Sequence, residues 1–218
     1  MILYHWIVNF LFPPKCILCR KVLNSQETDL CSCCREEAPE YSVTKKKLQF
    51  LDSFAAVWYY ERHVRTSLLR YKFSGCRSYA SGYGRLLAMR LQHEYPGGFD
   101  LLTWIPISRL RKFRRGYDQV ELLAFAVGRE LDMEPVRTLR KVRNNRQQSR
   151  IRDAAARRAN VLGVYRILDP DAVRGKRVLL LDDILTTGAT VSEAARVLLT
   201  AGAKEVHCAA VAASRKMK

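Results

Sequence analysis

The chain has 218 residues, enough for one ordinary domain plus a small one. Hydrophobic residues make up 48%, which excludes a disordered chain, and no run of 18 apolar residues exists, which excludes a helical membrane span. Lys plus Arg number 38 against 21 acids, a formal charge of +17, so the expected partners are anions such as nucleotides, pyrophosphate or nucleic acid.

The chain opens with MILYHWIVNFLFPP. Ile2, Leu3, Trp6, Ile7, Phe10 and Leu11 share one helical face, and His5 and Asn9 share the other. The segment lacks a basic leader and a small-residue cleavage site, so it reads as a short packing helix and not as a signal peptide. Its polar face has no Lys or Arg, which argues against a membrane-surface helix.

Cys16, Cys19, Cys31 and Cys34 then form two Cys-x-x-Cys turns eleven residues apart. Four thiolates in such turns satisfy tetrahedral zinc. Two disulfides are the alternative. Seven cysteines in all and no secretion signal favour a reducing, cytoplasmic setting. Cys33 competes for the fourth position, but the spacing favours Cys34. Residues 1–45 are too few for a core of their own, so structural zinc would supply folding energy there. Residues 46–218 would form the second domain.

Ser53 to Glu61 reads as a strand, followed by a helix from about Arg62 to Phe73. Gly75 and the Ser-Gly-Tyr-Gly run at 81–84 read as turns, with a helix to about His93 after them. Asp100 to Pro106 is a second buried strand. It opens into ISRLRKFRRGYDQ, a basic loop with five cations and no acid between Arg109 and Arg115. Such crowding calls for an anion or for plain solvation. Gln119 to Leu131 has the apolar spacing of a helix covering a sheet. Residues 137–158 carry eight arginines, one lysine and a single acid. The polar RNNRQQSR segment, with Arg143, Arg146 and Arg150, reads as a mobile loop or a nucleic-acid contact.

Val178 to Leu181 is an apolar run of the kind buried on both faces of a parallel sheet. Asp182 and Asp183 stand at its carboxyl end. Thr186, Thr187, Gly188, Ala189 and Thr190 follow, and then a helix from Val191 to Ala201, with Gly202 as its stop. Ligands of open α/β sheets bind at the carboxyl ends of strands, and a helix N-terminus suits a phosphate. Two acids for sugar hydroxyls beside a phosphate cradle fit a phosphorylated ribose. No P-loop pattern exists, and the Gly82-x-Gly84 pair meets Leu87 where a dinucleotide fingerprint needs glycine. Val206 to Ala212 is a last strand, with His207 read as a packing residue.

DDILTTGAT at 182–190 resembles the phosphoribosyl pyrophosphate (PRPP) loop of type I phosphoribosyltransferases. With FPPKCILC, the paired cysteines, IPISRLRKFRRGYDQ, RQQSRIRDAAARRAN and GKRVLLLDDILTTGAT, nearly the whole chain resembles the ComF family of competence-associated proteins. The resemblance implies an α/β fold, a mostly parallel sheet with helices on both faces, preceded by a zinc ribbon. It implies PRPP bound with Mg²⁺: ribose hydroxyls on Asp182 and Asp183, the 5′-phosphate on residues 186–190, and pyrophosphate on Arg109 and Arg111, with Arg115 as a further candidate. It also implies a loop that closes over the site. The expected role is DNA uptake and single-stranded DNA handling in natural transformation, beside partners such as a DNA-translocating helicase. An active phosphoribosyltransferase using a nucleobase or amine and a PRPP sensor without turnover are the alternatives.

Overall fold

The computed structural model describes residues 13–42, 47–143 and 162–215. The predicted N-terminal helix lies outside them. Four parallel strands form the main sheet in the order β1-β6-β5-β2: β1 is Ser53–Tyr59, β2 Leu101–Trp104, β5 Arg177–Leu185 and β6 Glu205–Ala213. Two short strands, β3 (Leu139–Lys141) and β4 (Tyr165–Ile167), pair antiparallel apart from it.

The central strands are apolar because both faces are covered. Val178 to Leu181 are fully buried, and small residues at Ala209, Ala210, Ala212 and Ala213 let helices approach β6 closely. On one face lie α2 (Arg62–Phe73), α3 (Tyr79–Glu94) and α5 (Gln119–Leu131); on the other lies α6 (Ala189–Thr200) with the β3–β4 pair. The predicted doubly covered α/β architecture is thus present.

The N-terminal unit follows from its knuckles. Cys16 N–H bonds the Lys21 carbonyl at 2.8 Å, and Arg20 takes a positive φ of 72° to close the turn. The second knuckle opens α1 (Ser32–Glu37), which carries Cys34. This unit does not stand alone. Ile17, Leu18, Leu23 and Leu30 share one apolar cluster with Leu68, Tyr71 and Tyr83 of α2 and α3. Asp29 and Arg85 lock it to α3 with two hydrogen bonds, at 2.8 and 2.5 Å. The chain then runs along the outer margin of β1, where Tyr41 N–H bonds Val57 and Tyr59 N–H bonds Pro39, at 2.9 and 2.7 Å. The opposite margin is met at Leu102, whose carbonyl accepts Val136 N–H at 2.8 Å.

Three local expectations are corrected. The Ser-Gly-Tyr-Gly run is not a turn but lies inside α3. Its glycines serve close packing: a Cβ on Gly84 would stand 2.5 Å from Ala126 Cβ in α5, and one on Gly82 would stand 2.8 Å from Asp29 Oδ1. The basic stretch after β2 is a short helix, α4 (Arg109–Arg115), not a loop. Ser108 Oγ accepts Arg111 N–H at its start, and Gly116 with φ 80° ends it. Strand β5 does not stop before the acids, because β6 continues to pair with it through Leu185↔Ala213.

Candidate functional site

The site gathers at the carboxyl end of β5. Successive side chains of a strand leave on opposite faces, so the paired acids look different ways. Asp183 is buried against α2 and α5. Lys72 Nζ lies 2.9 Å from its Oδ1, and Gln119 Nε2 donates to its Oδ2 at 2.7 Å. Asp182 accepts the Asp183 N–H at 2.8 Å and shares its surroundings with Lys141 and Tyr165 of the β3–β4 pair. Burial and the neighbouring Asp183 push its carboxyl up to about 8, against the pull of Lys72. One acid is pinned as an ion pair, and the other is held near neutrality.

The loop after the acids turns sharply into α6. Gly188 stands at the helix N-cap with φ 77°, a conformation that favours glycine. A Cβ there would also come 2.5 Å from Leu48 Cδ2. Thr186 is exposed, Thr187 and Thr190 are half-buried, and Gly188 and Ala189 are buried. Thr187 Oγ1 accepts the Ala189 N–H at 3.4 Å. The arrangement points a helix N-terminus at the space beside the acids, where an anion is favoured.

The basic helix α4 closes one side. Arg109 is exposed, whereas Arg111 is half-buried, its guanidinium pulled down by burial. Arg111, Arg114, Arg115 and Lys72 line a cavity of about 310 Å³ with Phe73 and Tyr117 and no acid. Arg115 sits over Phe73 at 5.1 Å and Arg77 over Tyr117 at 4.7 Å. Asp118 caps α5 by accepting from Val120 and Glu121 and also takes the Ile107 N–H, which fixes the chain between the two helices.

Sequence reasoning missed Lys72, Gln119 and Lys141. Burial and the Arg111 charge push the Lys141 ammonium down to about 8, against the pull of Asp182. It lies 5.5 Å from the centre of the Tyr165 ring. Gln119 closes the IPISRLRKFRRGYDQ stretch, but no local motif marks Lys72 or Lys141, and all three meet the acids only through the fold. Arg143 donates to the Leu162 carbonyl at 3.0 Å, and Arg146 and Arg150 lie outside the described residues. His207 sits at the opposite end of the sheet, between Tyr95 and Phe99, bonded to Ser53 Oγ and Glu205.

The four cysteine sulfurs of Cys16, Cys19, Cys31 and Cys34 all lie within 4.8 Å of one another, while Cys33 is exposed. Tetrahedral zinc with bonds of about 2.3 Å needs sulfurs roughly 3.8 Å apart, and Cys19 and Cys31 stand at 3.6 Å. Burial raises the Cys16 thiol, but backbone N–H groups of Cys19, Cys31 and Leu18 outweigh it and bring it down to about 7. This donor set fits structural zinc.

Comparison with known proteins finds two family matches in the chain. Residues 129–218 match the phosphoribosyl transferase domain and residues 7–45 the double zinc ribbon domain. The chain is 27% identical to Competence protein ComFC of Bacillus subtilis (strain 168), over 90% of this chain and 84% of that one. It is 24% identical to Competence protein F of Haemophilus influenzae, over 92% of this chain and 97% of that one. It is also 32% identical to DNA utilization protein YhgH of Escherichia coli (strain K12), over 62% of this chain and 61% of that one.

Proposed function

Starting from a chain of ComF type, a double zinc ribbon joined to a phosphoribosyl transferase domain, we propose that it binds PRPP with Mg²⁺ and supports single-stranded DNA handling in natural transformation. The observation that carries the first half is the meeting of Asp182 and Asp183 with the Gly188 turn at the start of α6. Asp182 and Asp183 would hold the ribose hydroxyls and Thr186 to Thr190 the 5′-phosphate. Arg111, with Arg109 and Arg115 of the same short helix, would face the pyrophosphate.

Mg²⁺ bound with PRPP supplies charge neutralisation on the leaving pyrophosphate. The protein's own part is positioning. Lys72 and Gln119 keep Asp183 in one orientation, so the sugar meets a preformed partner. Lys141 and Arg111 add positive charge where the pyrophosphate builds up negative charge. No side-chain nucleophile is required for displacement at the anomeric carbon.

The second half rests on α4. It exposes Phe113 almost fully among Arg109, Lys112 and Arg114, beside the acid-free cavity. Cations that track a backbone and rings on which bases stack are what a single strand needs. Calorimetry with Mg²⁺ and PRPP tests the ligand. Wild type should bind, and the Asp182→Asn, Asp183→Asn double variant should not; equal affinity in both would overturn the assignment. Pyrophosphate release over a panel of bases and amines then separates an active transferase from a PRPP-binding protein without turnover.

A further inference from the structure

The zinc ribbon and the acid pair are joined through one helix. Ser67 Oγ of α2 donates to the Ile17 carbonyl and is braced by the Tyr83 hydroxyl at 2.5 Å. Three residues on, Arg70 donates to the Leu18 carbonyl and lies over the Tyr79 ring at 5.9 Å. Tyr71 donates to the Gln119 carbonyl at 2.6 Å, and Lys72 reaches Asp183 at 2.9 Å. Six consecutive residues of α2 thus hold both the ribbon and the buried acid.

The two carbonyls matter because of where they sit. Ile17 and Leu18 are the residues between Cys16 and Cys19, so their peptide directions are set by the turn that presents both sulfurs. A turn released from its metal need not keep those carbonyls aimed at α2. Arg70 depends on them heavily: its Nε is buried with no hydrogen-bond partner among the described residues. When that guanidinium loses its acceptors, the end of α2 must shift, and Lys72 lies two residues further on.

We propose that Lys72 is a positioning residue for the acid pair and that the zinc ribbon sets its place through α2, so that ribbon integrity governs affinity at the ribose-phosphate site. The inference rests on the proposed PRPP binding for its affinity arm only. The link between the ribbon and Lys72 can be read without PRPP. The second hold on the ribbon, Asp29 with Arg85 of α3, bypasses α2 and serves as the control.

The experiment uses the full chain loaded with zinc and four readouts: zinc content, thermal midpoint, PRPP affinity with Mg²⁺ by calorimetry, and the rate of Lys72 acylation followed by mass spectrometry. Lys72→Met should weaken PRPP roughly tenfold, and Lys72→Arg should recover most of that, as expected for one charge-assisted contact. Arg70→Met should keep its zinc, yet label faster at Lys72 and bind PRPP more weakly. Chelation of zinc from wild type should have the same two effects. Asp29→Asn should lower the thermal midpoint and leave PRPP affinity and Lys72 labelling unchanged. If Arg70→Met does not fold, Ser67→Ala takes its place. Unchanged Lys72 labelling and PRPP affinity after both chelation and the α2 substitution would overturn the proposal. If wild type binds no PRPP while chelation still speeds Lys72 labelling, the PRPP reading fails and the link between ribbon and Lys72 stands.

Discussion

Asp182 and Asp183 are adjacent in sequence and unlike in chemistry. Asp183 has a partner on each oxygen, so Asp183→Asn would leave the Lys72 ammonium facing an amide. The expected cost is about 2–4 kcal/mol, measured by urea unfolding, since breaking a largely buried pair strands the other charge. Asp182 works in the opposite direction. Its folded pKa, about 8, lies above the value near 4 of an unfolded chain, so between these limits the native state binds the extra proton. Stability should therefore fall as pH rises from about 4 to about 8. Asp182→Asn should flatten that part of a thermal-midpoint profile, and a profile unchanged by the substitution would refute this account. The motif made both acids visible in the sequence. Their difference was not, because it depends on Lys72 and Gln119, which arrive from helices 111 and 64 residues away.

At the level of elements, α5 and the apolar part of β5 were legible because a helix covering a sheet and a strand buried on both faces each carry their own apolar pattern. The Ser-Gly-Tyr-Gly run was not. Two glycines so close look like a turn until a partner helix is known to press against them. The distinction has a measurable sign. Helix propensity alone would make Gly84→Ala stabilising by about 1 kcal/mol. Contact with Ala126 predicts destabilisation of about 1–3 kcal/mol in chemical unfolding, because its Cβ and backbone carbon cannot both retreat. The ribbon offers a second test of element-level reading. Cys34→Ser should lower zinc content and the thermal midpoint, while Cys33→Ser should leave both as they are, since Cys33 faces solvent. Zinc retained in full by Cys34→Ser would show that the fourth ligand is wrong.

At the scale of the molecule, the five cations of α4 meet Lys72 and Lys141 around the proposed site. Binding of a short single-stranded oligonucleotide should weaken steeply with salt. Removing Arg114 and Arg115 together should lower the slope of log affinity against log salt by roughly 0.7 for each phosphate they neutralise. A slope identical to wild type would move the binding surface elsewhere. Composition foretold an anionic partner but not its place, because cations distant in sequence converge only after α2 and α4 have packed.

The strip at Pro39–Tyr41 along β1 and the meeting of Val136 with Leu102 on β2 have a consequence for self-association. Exposed sheet margins are the usual rails on which a second chain lays its backbone. Here each margin of the main sheet is met at one point, β1 at Trp58 by Glu40 from the stretch leading from the ribbon and β2 at Leu102 by Pro135 from the stretch leading into β3. Among the described residues, a second copy laying a strand along either margin would first have to displace these contacts.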